Sequence, residues 1–293
     1  MTRVFGVVGH PISHSLSPVM HHAAFRALGL DAIYAPFDVP PRDLKAVLGG
    51  LHVCGIDGLN VTVPHKERIV RALDSRVAVD PVAAALGAVN TLVRTERGFA
   101  AHNTDVAGFR RALVEELRTD GRNRRVLLLG AGGAAKAVAW ALASAHPQHI
   151  VLSNRTRAKA EAMRRWLARA VRGLKIDVVR FDRRSLAAAM MDSDLLVNAT
   201  SLGLKTRDPL PVDPAAIHRR LAVFDLVYRS PTSPLVQAAR RRGALAVDGV
   251  PMLVYQGAES FRLWWRRRAP VEVMRRAVER AVRVRSDQWP SDE

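Results

Sequence analysis

The sequence predicts an α/β fold in two domains, a mainly parallel α/β domain followed by a doubly wound sheet. Three observations carry this. Short apolar runs of strand length alternate with helix-like segments along nearly the whole chain. A second such series restarts after Gly121-Arg122-Asn123, and a glycine-rich turn opens it. With 293 residues, 48% of them hydrophobic, the chain is long enough for two cores.

In the first series Val4 to Gly9 reads as a buried parallel strand. The polar loop His10 to Ser17 and a helix over Pro18 to Leu28 follow. Ile33 to Val39 is the next strand and Asp43 to Leu51 a helix. Gly58 to Val63 is the third strand, and His65 to Leu73 the third helix. Val89 to Thr95 and Gly98 to His102 form a hairpin pattern around Glu96-Arg97-Gly98, and a helix starts near Asp105.

The second series places strands at Val126–Leu129, Ile150–Ser153, Val178–Phe181, Leu195–Asn198, Val223–Val227 and Ala244–Val247. Helices over Gly257 to Arg268 and Val271 to Arg283, broken at Ala269-Pro270, are expected to return to the first domain. A polar tail from Arg285 to Glu293 is expected to fray. The domains are therefore 1–108 with the C-terminal helices of 250–293, and 109–249.

The glycine turn carries the first chemical signal. Val126-Leu127-Leu128-Leu129 leads into Gly130-Ala131-Gly132-Gly133-Ala134-Ala135, a strand feeding a helix. The first glycine permits the tight turn and Gly132 lets backbone approach a pyrophosphate. Ala135 allows close helix packing, and the helix N-terminal N–H groups face the phosphates. This is the pattern of a Rossmann dinucleotide site. After the next strand stands Asn154-Arg155-Thr156, where NAD proteins usually carry an acid for the ribose 2′-hydroxyl. The nearest carboxylate, Glu161, falls inside the following helix, whereas Arg155 offers a fork suited to a 2′-phosphate. The cofactor predicted is NADP.

Composition narrows the remaining classes. A net charge of +18 invites a nucleic-acid reading, but the arginines are scattered and aromatics are only 5%, too few for a stacking surface. No apolar run approaches 18 residues and Met1-Thr2-Arg3 leads straight into a strand, so neither a membrane span nor a signal peptide is expected. Cys54 is the only cysteine, which excludes an intrachain disulfide or a cysteine zinc cluster, and the default location is cytoplasmic. Small-molecule partners and a monomer or homodimer are expected. Of 45 basic residues only Lys45, Lys66, Lys136, Lys159, Lys175 and Lys205 are lysine. Guanidinium does not give up its proton in proteins, so each retained lysine is a candidate for proton chemistry.

Polar clusters fall where strands of the first domain end, the usual ligand edge of an open α/β sheet. Ser13 to Pro18 sets hydroxyls before a helix N-terminus, suited to a carboxylate; alternatively Ser17 is simply the N-cap with Pro18 at N1. Asn60 to Lys66 ends the third strand, with Lys66 expected to open a helix, an unfavourable place for a cation. Asn90-Thr91 and Asn103-Thr104-Asp105 add amides and one carboxylate. Asp105 either caps its helix or pairs with Lys66 as an acid–base dyad.

Taken together, SHSLSP at Ser13–Pro18, NVTVPHK at Asn60–Lys66, GAVNT at Gly87–Thr91 and NTD at Asn103–Asp105 resemble the shikimate dehydrogenase family. So do GAGGAAKA at Gly130–Ala137, NRT at Asn154–Thr156, NATS at Asn198–Ser201, DLVY at Asp225–Tyr228 and DGVPMLVYQGAESF at Asp248–Phe261. The motifs run in order over essentially the whole chain. The resemblance implies reversible NADP-linked interconversion of 3-dehydroshikimate and shikimate, a step toward the aromatic amino acids. By the same resemblance Ser15 and Ser17 hold the substrate carboxylate, and Thr62, Asn90, Tyr228 and Gln256 bind ring substituents or carboxylate. Lys66 and Asp105 match the catalytic pair. Gly130, Ala131, Gly132, Gly133 and Ala134, with Asn154, Arg155 and Thr156, match the NADP site; Leu226, Gly249 and Met252 match the nicotinamide pocket.

The chemistry is coherent without a metal. Hydride delivered to a ketone leaves oxyanion character, which Lys66 can protonate while Asp105 orients the ammonium. Departures are small: no glycine flanks the NTD motif, Leu204 stands where methionine is common, and Pro231 falls one place late. The alternatives are a quinate or quinate/shikimate dehydrogenase, which often prefers NAD, and a catalytically silent binding protein. The missing acid at 154–156 argues against the first, and retention of Lys66 and Asp105 against the second.

Overall fold

The structure is a computed structural model and describes residues 1–73, 77–205 and 207–286. It divides into two units, one of residues 1–108 and 253–281 and one of residues 109–252 and 282–293. The polar tail beyond Ser286 lies outside the described residues.

In the first unit β1 (Arg3–Gly9), α1 (Ser17–Ala27), β2 (Ala32–Asp38), α2 (Leu44–Val53) and β3 (Gly58–Val61) alternate as the sequence pattern predicts. Then come α3 (Ile69–Ala72), α4 (Pro81–Leu86), β4 (Thr91–Thr95) and β5 (Gly98–His102), followed by α5 (Asp105–Leu117), of which residues 105–108 belong to this unit. Among the described residues the sheet order is β2-β1-β3-β4-β5. β1 is parallel to β2 and β3, and the β4–β5 hairpin is antiparallel at the edge. Val8, Leu59, Val61, Ile69, Leu92 and Phe99 form the core of one face. β1 and β3 end side by side, Val8 opposite Val61, so the polar loops after both strands open at one edge.

Two local expectations are corrected. Residues 66–68 form turns, and the helix is only Ile69–Ala72. The long-range bond from Val89 N–H to the Lys66 carbonyl (2.8 Å) holds this segment beside the hairpin instead. Lys66 therefore does not open a helix, and the argument from the helix dipole falls away. α4 was not foreseen; Asp80 accepts from Val82 and Ala83 N–H and Pro81 begins it, a standard N-terminal arrangement.

The second unit has β6 (Arg125–Leu129), α6 (Gly133–Ala143), β7 (His149–Ser153), α7 (Arg157–Ala170), β8 (Ile176–Val179) and α8 (Arg183–Met191). β9 (Leu195–Asn198), β10 (Ala222–Asp225), α9 (Pro234–Arg241) and β11 (Ala246–Val247) complete it. All pairings are parallel, in the order β11-β10-β9-β6-β7-β8. This is the doubly wound order, with its topological switch between β6 and β9, where ligands of such sheets bind. Leu127, Leu129, Leu196, Val223 and Val236 pack one face of the sheet.

α10 (Val250–Trp265) and α11 (Val271–Ser286) close the chain. α10 starts seven residues before the predicted Gly257. Asp248 Oδ1 accepts from Val250 N–H (3.1 Å), and Pro251 suits a first turn, so the helix nucleates there and runs through Gly257. Gly257 earns its place by packing: a Cβ there would collide with the Met20 side chain. No helix among the described residues is long and apolar enough to cross a membrane.

Candidate active site

The first unit brings Lys66 and Asp105, 39 residues apart, into an ion pair: Nζ lies 2.7 Å from Oδ2. The side chains are 20% and 7% exposed, so the pair is largely out of water. Asp105 is not its helix's cap. Asn103 Oδ1 accepts from Asp105 N–H (3.1 Å) and Val106 N–H (3.4 Å), and Asn103 Nδ2 donates to the Ala88 carbonyl (3.0 Å). Asp105 is thus spared for Lys66, and its charge sits favourably at the α5 N-terminus. An ammonium has three donors; among the described residues Asp105 takes one, leaving two for a ligand.

Asn90, just before β4, donates from Nδ2 to Asp105 Oδ1 (2.9 Å) and to Gln256 Oε1 (3.3 Å). Lys66, Asp105, Asn90 and Gln256 therefore form one connected group. Gly108 makes this possible, since a Cβ there would come within 2.7 Å of the Gln256 backbone nitrogen. Sequence reasoning missed Gly108, because α5 meets α10 only in the folded unit.

Ser15, Ser17 and Thr62 sit on the loops after β1 and β3. Ser15 Oγ accepts from Ser17 N–H (3.3 Å). Ser17 is not the N-cap: Leu16 holds that position without a side-chain bond, and Ser17 is buried. Thr62 is half-buried, its N–H on the Val8 carbonyl (2.9 Å) and its carbonyl accepting from His65 (2.8 Å).

The second unit holds the glycine turn. Gly130 has φ +106°, and a Cβ would lie 2.7 Å from the Ala199 carbonyl oxygen, so only glycine fits. Gly132 is the N-cap of α6 and brings no side-chain cap. Gly132, Gly133 and Ala134 are exposed, Ala131 is half-buried, and nothing lies within 4 Å of where a Cβ at either glycine would stand. Ala135 is fully buried against the sheet. An open backbone at a helix N-terminus is a ready phosphate site.

Beyond β7, Asn154 Nδ2 donates to the Thr156 carbonyl (2.8 Å) and fixes the turn. Arg155 and Thr156 are exposed, and Arg155 has no hydrogen bond or ion pair among the described residues. Glu161 is already engaged by Arg164 (3.0 Å) and Arg157 (3.7 Å), so the nearest acid is committed elsewhere. A free guanidinium and an occupied carboxylate fit a 2′-phosphate better than a bare ribose.

Leu226, Tyr228 and Gly249 come together. A Cβ at Gly249 would overlap the Leu226 carbonyl and lie 3.2 Å from the Tyr228 ring. Met252 is buried in the first turn of α10. Below them sits Asp225, fully buried: Oδ1 accepts from Asn198 Nδ2 (2.8 Å) and Val227 N–H (3.1 Å), and Oδ2 has no partner. Burial pushes this carboxyl up to about 6. It ties the end of β9 to the loop bearing Leu226, a role visible in sequence only as two polar residues at the ends of neighbouring strands.

The fold and these two groups of residues define a class, a two-unit α/β dinucleotide-binding oxidoreductase. Family models identify it further: the shikimate dehydrogenase substrate binding domain matches residues 7–92, shikimate / quinate 5-dehydrogenase residues 112–227, and the shikimate 5′-dehydrogenase C-terminal domain residues 249–279. A shikimate dehydrogenase (NADP(+)) of Methanopyrus kandleri is 46% identical over 280 residues, covering 94% of this chain and 95% of that one. A crystal structure of a shikimate dehydrogenase in complex with NADP+ superposes with TM-score 0.88 at 35% identity, covering 96% of each chain. One from Thermus thermophilus, in complex with NADP(H) and shikimate, gives 0.84 at 35%, covering 96% of this chain and 100% of that one. The chain belongs to the shikimate dehydrogenase family.

Proposed function

We propose that this chain catalyses the reversible NADPH-dependent reduction of 3-dehydroshikimate to shikimate, in the route toward chorismate and the aromatic amino acids. The observation that carries the chemistry is the Lys66–Asp105 pair at 2.7 Å, with two ammonium donors uncommitted. Residues 1–108 with the C-terminal helices hold the substrate, and 109–249 hold NADP. Small molecules are the partners, the location is cytoplasmic, and the protein acts as a monomer or homodimer.

Bound NADPH supplies the hydride; the residues of this chain do the rest. Ser15 and Ser17 hydroxyls bind the substrate carboxylate. Thr62, Asn90, Tyr228 and Gln256 fix the ring by its substituents. Lys66 donates a proton to the oxygen as negative charge develops and takes it back in the reverse direction. Asp105 keeps the ammonium aimed, and its Asn90 contact keeps the carboxylate itself from rotating. On the cofactor side Gly130 to Ala134 present N–H groups to the pyrophosphate, and Asn154, Arg155 and Thr156 hold the 2′-phosphate. Leu226, Gly249 and Met252 line the nicotinamide pocket.

The test is initial-rate NADP reduction with shikimate, beside NAD and quinate, for wild type and Lys66→Ala. The expected result is NADP–shikimate turnover that falls by about 10²–10⁴ in the variant, the usual loss of a general acid. Turnover mainly with quinate and NAD would reassign substrate and cofactor. Ligand binding without turnover would sink the enzyme reading.

A further inference from the structure

We infer that Thr91 is a positioning residue for this reaction, resting on the proposed function above: its hydroxyl, together with the Thr104 N–H, holds the Asn90 carboxamide facing one way and so keeps an N–H on Asp105. Thr91 is fully buried at the start of β4. Its single hydroxyl lies 2.8 Å from Ser260 Oγ, 3.1 Å from Asn90 Oδ1, 3.2 Å from Thr104 Oγ1 and 3.2 Å from Asn60 Nδ2. Four residues of the first unit thus meet on one oxygen.

Proton accounting gives the arrangement a direction. Asn60 Oδ1 accepts from the Tyr34 hydroxyl (2.7 Å), so its NH2 must face the other way, its two protons shared among Ser260 (2.9 Å), Thr91 (3.2 Å) and the Asn90 carbonyl (3.2 Å). Thr91, receiving from Asn60, has one proton to give. Ser260, which accepts from Asn60 (2.9 Å), places its own proton on Thr91 across the shortest of these contacts (2.8 Å). The Thr91 proton is then available to Asn90 Oδ1, which also accepts from Thr104 N–H (2.7 Å). With Oδ1 held by two donors, the Asn90 NH2 is turned to Asp105 Oδ1 (2.9 Å) and Thr104 Oγ1 (2.9 Å). An inverted amide would set NH2 against the Thr104 N–H and an oxygen against the Asp105 carboxylate. The hydroxyl of Thr91 therefore acts on Lys66 at two removes, through Asn90 and Asp105.

Thr91→Val removes the hydroxyl at nearly constant shape and Thr91→Ser keeps it. Thr95→Val, on the same strand in the exposed hairpin, is the control. Shikimate kcat and KM, NADP KM and Tm are measured on all four proteins. We expect Thr91→Val to lose about tenfold or more in kcat, a deficit of about 1.4 kcal/mol at the transition state, with NADP KM within about twofold of wild type. Thr91→Ser should recover most of that rate, and Thr95→Val should match wild type. Wild-type kcat in Thr91→Val, or equal losses in the Val and Ser variants, would overturn the inference. If Thr91→Val does not fold by circular dichroism, Thr91→Ala, which also removes the hydroxyl, is read by the same rate criterion. A wild-type protein without shikimate turnover would instead overturn the function on which the inference rests.

Discussion

Asp225→Asn should stabilise this protein at neutral pH, and the gain should grow with pH. The carboxyl is fully buried, its Oδ2 has no partner, and burial moves it from 3.8 up to about 6. Below 3.8 the group is neutral in both folded and unfolded chains and imposes no penalty. Between 3.8 and about 6 the unfolded chain ionises while the folded one holds its proton, so folding stability falls as pH rises through this window. Above about 6 both states are ionised and the loss is complete. Linkage with these two values gives a destabilisation of about 2 kcal/mol at pH 5 and about 3 kcal/mol at pH 8, a difference of about 1 kcal/mol.

Asparagine keeps the oxygen that accepts from Asn198 and Val227 and removes the charge. The assay is urea unfolding of wild type and variant at pH 5 and pH 8, followed by the difference of differences. Asp248, also raised by burial, is present in both proteins and largely cancels. The advantage of the variant should rise by about 1 kcal/mol between the two pH values. An advantage that is flat with pH, or that shrinks toward pH 8, would refute the reasoning, because it would mean the folded protein does not hold that proton.

Two further substitutions probe the cofactor unit. Gly130→Ala forces a side chain into φ +106° and against the Ala199 carbonyl; unfolding free energy should drop by about 1–3 kcal/mol and NADP affinity should weaken, measured by denaturation and fluorescence titration. Arg155→Ala removes the free cation after β7; NADP KM should rise about tenfold or more while NAD KM changes little, and an equal change in both would show that Arg155 does not read the 2′-phosphate.

How far the site was legible depends on the range of the interactions that make it. The glycine turn can be read directly, since Gly130 to Ala135 is contiguous and its purpose is local backbone geometry. The turn–helix region after β3 cannot. Residues 65–68 look helical by composition, yet the Val89–Lys66 backbone bond and the end of β3 decide their path. Whether Asp105 caps a helix or pairs with a lysine is likewise open in the sequence. It is settled when Asn103 takes the cap, which leaves the carboxylate for a partner 39 residues away. The early start of α10 shows the same limit from the other side: Asp248 and Pro251 carry a local start signal, and the glycine at 257 serves contact with Met20.

By itself, then, the sequence determined the α/β class, the strand–glycine–helix turn, the absence of an acid after β7, and the ordered motifs that mark the family. These are properties of short segments, set by periodicity, steric freedom and side-chain type over a few residues. Only the tertiary structure decided that Lys66 meets Asp105, that Gly108 and Gly249 are demanded by a neighbouring element, and that Asp225 is buried with an oxygen unpartnered. The same holds for the single hydroxyl of Thr91, on which four residues converge. Hydrogen bonds and close packing act over about 3–4 Å, and which residues come within that distance across 100 residues or more is a consequence of strand order and helix packing, not of the local chain.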